Sequence, residues 1–157
     1  MKGTVTFLTR RREEDGDAET RFTAVGILDE TEEGLCLRYV EPPSDGEDGA
    51  AVRITVAGDR AVIERQNPTL HSRMLFERGQ RHACRYDTLY GGLDLHLVCD
   101  ELVNELAPHG GRLFIRYRLD TPGAPPMETI LEITFSSTRI TPYSLSNLSI
   151  KIPPLSR

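Results

Sequence analysis

Apolar and polar positions alternate along most of this chain, and the alternation organises around Gln80 to Leu102, QRHACRYDTLYGGLDLHLVCDEL. His82, Cys84 and Tyr86 share one face of a first arm, and Leu93, Leu95, Leu97 and Cys99 share one face of a second. This is the period of two that a half-buried strand requires. Asp87 to Gly92 supplies the turn between the arms, with Gly91 and Gly92 able to take positive φ and Asp87 able to bond its own backbone two residues on. The same period marks Thr4 to Arg11 (Val5, Phe7) and Arg21 to Leu28. In the latter, Phe22, Ala24, Gly26 and Leu28 oppose Thr23, Val25 and Ile27, and either row could face inward. Gly26 inside such a run predicts a bend or a close approach of backbone.

Leu35 to Val40 places Leu35, Leu37 and Tyr39 inward against Cys36 and Arg38. The loop EPPSDGEDG interrupts the pattern. Ala51 to Ala57 and Arg60 to Gln66 then form a hairpin around Gly58-Asp59. Thr69 to Glu77 carries Leu70, Ser72, Met74 and Phe76 on one face, Arg112 to Leu119 carries Leu113, Ile115, Tyr117 and Leu119, and Thr129 to Ser136 carries Leu131, Ile133 and Phe135. Asp100 to Ala107 fits two states. Leu102, Val103 and Leu106 have helical spacing behind a capping Asp100, while a strand continuing to Glu105 fits equally well.

About nine or ten short strands joined mainly by short turns predict an all-β fold, and closure into a barrel removes the exposed edges. The expected architecture is a single antiparallel up-and-down barrel of roughly 8–10 strands with at most one short helical turn. Residues 1–136 form the barrel domain. Residues 137–157 are a polar tail with prolines, in which Leu148, Ile150 and Ile152 alternate; docking along its own barrel is the first expectation, with disorder or strand addition to another chain, as in a protein-interaction module, the alternatives.

Composition narrows the function classes. At 157 residues the chain is one domain, long enough for a core that needs no staple. Cys36, Cys84 and Cys99 are odd in number and each lies in an apolar strand pattern, so they read as small buried thiols of a reducing compartment. No apolar segment precedes the N-terminal charges or approaches the length of a membrane span, which predicts a cytoplasmic protein without membrane attachment. The net charge is −5, which argues against nucleic acid. Residues 1–50 hold 6 Lys and Arg against 13 Asp and Glu, whereas the remainder hold 13 against 11. The acids concentrate at Glu13, Glu14, Asp15 and Asp17 and at Asp45, Glu47 and Asp48, which read first as solvated turns that keep the protein soluble and secondly as a surface for a basic protein partner or calcium, although no calcium-loop pattern occurs; a homo-oligomer is the other partner open to the chain.

The run Tyr86, Asp87, Thr88, Leu89, Tyr90, Gly91, followed by Leu93 and Leu95, then RLFIRYRL at Arg112 to Leu119 and Glu128 to Phe135, resembles the YwiB-like proteins of bacteria, an uncharacterised family of calycin-like β-barrels. The resemblance in strand order covers residues 3–136. It implies a closed, antiparallel lipocalin-type barrel whose interior can hold a small apolar ligand in relatives of the superfamily, and it carries over no catalytic residue. The loop Glu41 to Gly49 and the tail depart from that pattern.

With the inward phase above, Tyr39, Ser72, His82, Cys84, Tyr86, Cys99 and Tyr117 face the barrel interior among aliphatic side chains. Two readings follow: a pocket in which Tyr39, Ser72, His82, Tyr86 and Tyr117 orient a mostly apolar ligand, or a filled core whose hydroxyls satisfy one another. His82, Cys84 and Cys99 could meet at a metal, but no ligand spacing of a known zinc motif occurs. Neither a cysteine nucleophile with an orienting acid nor a phosphate-cradling glycine loop is present, so no cofactor and no enzymatic role is expected. On the outside, Arg81 and Arg85 should flank Asp94 and Asp100, with Arg116 and Arg118 beyond, as a salt-bridge ladder rather than a phosphate track.

Overall fold

The computed structural model describes residues 1–13, 15–44 and 48–137, and the predicted tail strand lies outside them. The described chain contains ten strands: β1 (Lys2–Glu13), β2 (Gly16–Thr31), β3 (Gly34–Val40), β4 (Ala51–Ala57), β5 (Arg60–Asn67), β6 (Leu70–Glu77), β7 (Arg81–Thr88), β8 (Gly91–Asn104), β9 (Gly110–Asp120) and β10 (Met127–Ser137). Each pairs antiparallel with its neighbour in sequence, and β10 returns to β1, so the sheet closes as the expected up-and-down barrel. No helix is present among the described residues, hence none long and apolar enough to cross a membrane.

Alternation decides the core. Val5, Leu37, Ile54, Ala61, Phe76, Leu97, Leu113, Ile115 and Ile133 are buried from eight different strands, and they pack as one cluster. Burying a side chain of this size contributes about 1.5–3 kcal/mol, which favours the one register that turns every such row inward. The open choice in β2 resolves the same way. Phe22, Ala24 and Leu28 join the core side, whereas Val25 and Ile27 remain exposed. Gly26 marks the close approach expected of it, since a Cβ there would lie 2.5 Å from Val5 Cγ2 and 3.1 Å from the Arg38 carbonyl oxygen.

The ambiguous segment after Asp100 is strand. A β-bulge between Cys99 and Glu101 shifts the phase by one residue, so Cys99 and Leu102 both face inward. That shift, followed by Leu106 tucked into the loop with its N–H on Asn104 Oδ1, is what imitated helical spacing. The turn of the central hairpin is also tighter than expected. Thr88 rather than Asp87 organises it, accepting from the Tyr90 N–H and donating to the Gly91 carbonyl, and Gly91 takes φ 118°. Asp87 instead accepts from Arg85 at 2.8 Å.

The outer ladder is present. Arg85 reaches Asp94 at 3.2 Å, Arg118 grips Asp100 with two bonds of 2.8 and 3.0 Å, and Arg81 meets Asp120 at 2.7 Å. The Arg118 hydrogen bond outweighs partial burial and holds the Asp100 carboxyl below the usual carboxylate range. Asp94 is 81 % exposed, so solvent screens its pair. Asp94→Lys is therefore expected to move the thermal unfolding midpoint by less than about 2 °C. A calorimetric shift several times larger would show that the ladder is a coupled network.

Candidate functional site

One end of the barrel is open, and proline chemistry is the reason. Pro42 and Pro43 follow Glu41 directly and offer no N–H to a ladder, so β3 stops at Val40. Its pairing with β2 accordingly runs only from Gly26–Tyr39 to Thr31–Gly34, and the segment of β2 before Gly26 pairs with β1 alone. The rim at this parting carries Thr20, Arg21, Pro42, Pro43 and Ser44. Below it lies a cavity of about 490 Å³ that enters the barrel interior.

The inward rows build its walls. Phe7 and Phe22 stack at 4.7 Å between ring centroids, and Tyr39 tilts against Phe22 at 6.2 Å. Phe76 meets Tyr117 edge-on at 5.0 Å, and Met74, Leu131 and Ile133 complete an apolar floor. Polar groups gather at the mouth. Arg65 and Glu41 form a two-pronged ion pair, Nε to Oε2 at 2.9 Å and Nη2 to Oε1 at 2.8 Å, with Arg65 30 % and Glu41 14 % exposed. Burial works against the Arg65 charge, but the hydrogen bond and charge of Glu41 more than offset it, and the guanidinium is held above its usual value. The Glu41 N–H donates to the Ala50 carbonyl at 2.9 Å, which fixes the loop that carries this acid. The pair also borders a second groove of about 520 Å³ that runs outward to Asn67, Leu89 and Tyr90.

Of the five residues expected to form a pocket, Tyr39, Tyr86 and Tyr117 line this cavity. Ser72 does not line it but lies directly behind it: its Cα partners are Arg65 on one side and Tyr86 on the other, and its buried Oγ has no hydrogen-bond partner among the described residues. His82 belongs elsewhere. It faces inward on β7, but four residues before Tyr86, about 13 Å along the strand, and its Nε2 engages Glu77 Oε1 at 2.9 Å. Cys84 and Cys99 are buried free thiols. Burial pushes the Cys99 thiol up to about 11 and raises Cys84 as well, which disfavours the reactive thiolate. Among the described residues no three His, Cys, Asp or Glu side chains gather as a metal site.

Arg11, Glu41 and Arg65 are the mouth residues that sequence reading missed. The signal was there, because each extends an inward row: Val5, Phe7, Thr9, Arg11 on β1; Leu35, Leu37, Tyr39, Glu41 from β3; Ala61, Ile63, Arg65 on β5. A charged residue at the end of an apolar row reads as an exposed terminus unless the row's end is known to be a cavity mouth.

The phenols report on this environment. Burial is the largest influence on both Tyr39 and Tyr117 and raises each well above the usual phenol, although the Arg65 charge, and for Tyr117 also that of Arg11, pulls the other way. A group whose folded value is raised contributes its full stability below the unfolded value and loses it as pH climbs. Ultraviolet phenolate titration should find two tyrosines still protonated at about pH 11, with stability declining above about pH 10. Complete ionisation by pH 11 in a chain that is still folded would mean that water reaches both rings.

A family model described as a domain of unknown function, DUF1934, matches residues 5–133. The chain belongs to the DUF1934 family. This DUF1934 barrel is similar in fold to the crystal structure of the ywiB protein from Bacillus subtilis, with a TM-score of 0.77 and 16 % identity over 88 % of this chain and 92 % of that one. The fold that the YwiB-like resemblance implied is thereby found, and the family match is to DUF1934. No curated protein matches the sequence.

Proposed function

We propose that this DUF1934 barrel binds a small, mostly apolar molecule through the mouth at Glu41 and Arg65. The observation that carries the reading is the cavity of about 490 Å³, aromatic and aliphatic at its floor and lined by three tyrosines. Ligand sites are typically concave, mainly apolar and furnished with a few convergent polar groups, with volumes of about 300–1,000 Å³. Binding rather than catalysis fits the remaining chemistry, because His82 is engaged by Glu77 and the Cys84 and Cys99 thiols are pushed away from ionisation. The acidic-loop alternative has less support. In the first hairpin Glu19 pairs with Arg10 and Arg21, and Glu13 lies near Arg11, so these acids are partly neutralised within the hairpin. Glu14, Asp45 and Glu47 lie outside the described residues.

Native mass spectrometry of protein purified from its own cells tests the proposal. The expected result is a discrete added mass that disappears on denaturation and is missing from Ile133→Trp, which fills the cavity from its floor. Bare protein in every preparation, or the same added mass on a folded Ile133→Trp variant, overturns it.

A further inference from the structure

The mouth of the cavity is rich in donors and poor in acceptors. Its charged lining consists of three guanidiniums, Arg11, Arg21 and Arg65, against the single carboxylate of Glu41. Glu41 is already engaged by Arg65, and Arg21 lies 3.7 Å from Glu19. Arg11 ends an inward row, and its one ion pair among the described residues is a loose contact with exposed Glu13 at 3.9 Å. A neutral group repeats the imbalance. Tyr86 donates its hydroxyl to Met74 Sδ at 3.8 Å, and a thioether is a weak acceptor.

We propose that the molecule bound by this barrel carries one acidic head group, a carboxylate, which docks at the mouth between the Arg11 and Arg65 guanidiniums while its apolar body lies on Phe7, Phe22 and Met74. The inference rests on the small-ligand reading and specifies its chemistry. A planar carboxylate can accept from a guanidinium and from the Tyr86 hydroxyl together, and charge-assisted bonds of this kind are about twice as strong as neutral ones. The aromatic wall could in principle face a cation, but the excess guanidinium charge opposes one at the same mouth. Arg11 and Arg65 line the same cavity as the buried Tyr117 ring, so their charges face the interior and not only solvent. Glu41 then acts as a resident counterion: it holds Arg65 in the empty barrel and competes with the ligand for it.

The test is isothermal titration of the full chain with carboxylates from octanoate to dodecanoate and with the alcohols of matching length. The acid is expected to bind about tenfold more tightly than its alcohol, Arg11→Gln to bring that ratio close to one by weakening the acid far more than the alcohol, and Glu41→Gln to strengthen the acid severalfold by releasing Arg65. Equal binding of acid and alcohol by the natural protein, or an Arg11→Gln variant that weakens both alike, overturns the acidic head group and leaves the apolar-ligand reading standing. Binding of neither series overturns both.

Discussion

Phe76→Ala is expected to cost about 3–5 kcal/mol and to lower the melting temperature by about 10 °C. Phe76 is fully buried near the C-terminal end of β6, its ring packs edge-on against Tyr117, and it forms part of the cavity floor. Truncation therefore loses the transfer energy of the ring and also joins a new void to an existing one, and the ladder to β5, where Phe76 pairs with Ala61, holds the backbone against collapse into it. The neighbouring Phe22 provides the control: it is only partly buried at the core margin, and its truncation should cost less. Chemical denaturation measures both. A loss below about 1 kcal/mol at Phe76 would mean that the floor repacks freely, and the cavity would then be no fixed feature of the fold.

Arg65→Met is expected to be the second most damaging of these changes, at about 1–3 kcal/mol. Methionine keeps most of the apolar stem, so packing is largely retained and the loss isolates the charge. Glu41, 14 % exposed, would be left without its two-pronged partner in a mouth that solvent reaches only partly. Adding Glu41→Gln to Arg65→Met removes the stranded carboxylate and should restore most of the stability, giving a coupling energy of at least about 1 kcal/mol in the double-mutant cycle. Independent, additive losses would show that the pair does not act as a unit, and the role assigned to Glu41 as a resident counterion would fall with it.

The sequence by itself determined the barrel. A period of two in nearly every segment, with large apolar side chains on one row, leaves few ways to bury the rows, and short antiparallel connections allow the meander to close on itself. It also placed Tyr39, Tyr86 and Tyr117 inward, because inward phase is a local property of each strand. Phase is blind to two things that only the tertiary structure decided. The first is a change of phase within a strand: the bulge at Cys99–Glu101 made β8 resemble a helix after Asp100, and only pairing with β9 distinguishes the two. The second is height along the barrel axis. His82 and Tyr86 share a face and a strand, yet one is engaged by Glu77 and the other stands in the cavity. Which inward residues meet depends on the stagger between strands and on where β2 parts from β3. Those are long-range geometric facts, and they turned Arg11, Glu41 and Arg65 from the polar ends of three strands into a single mouth.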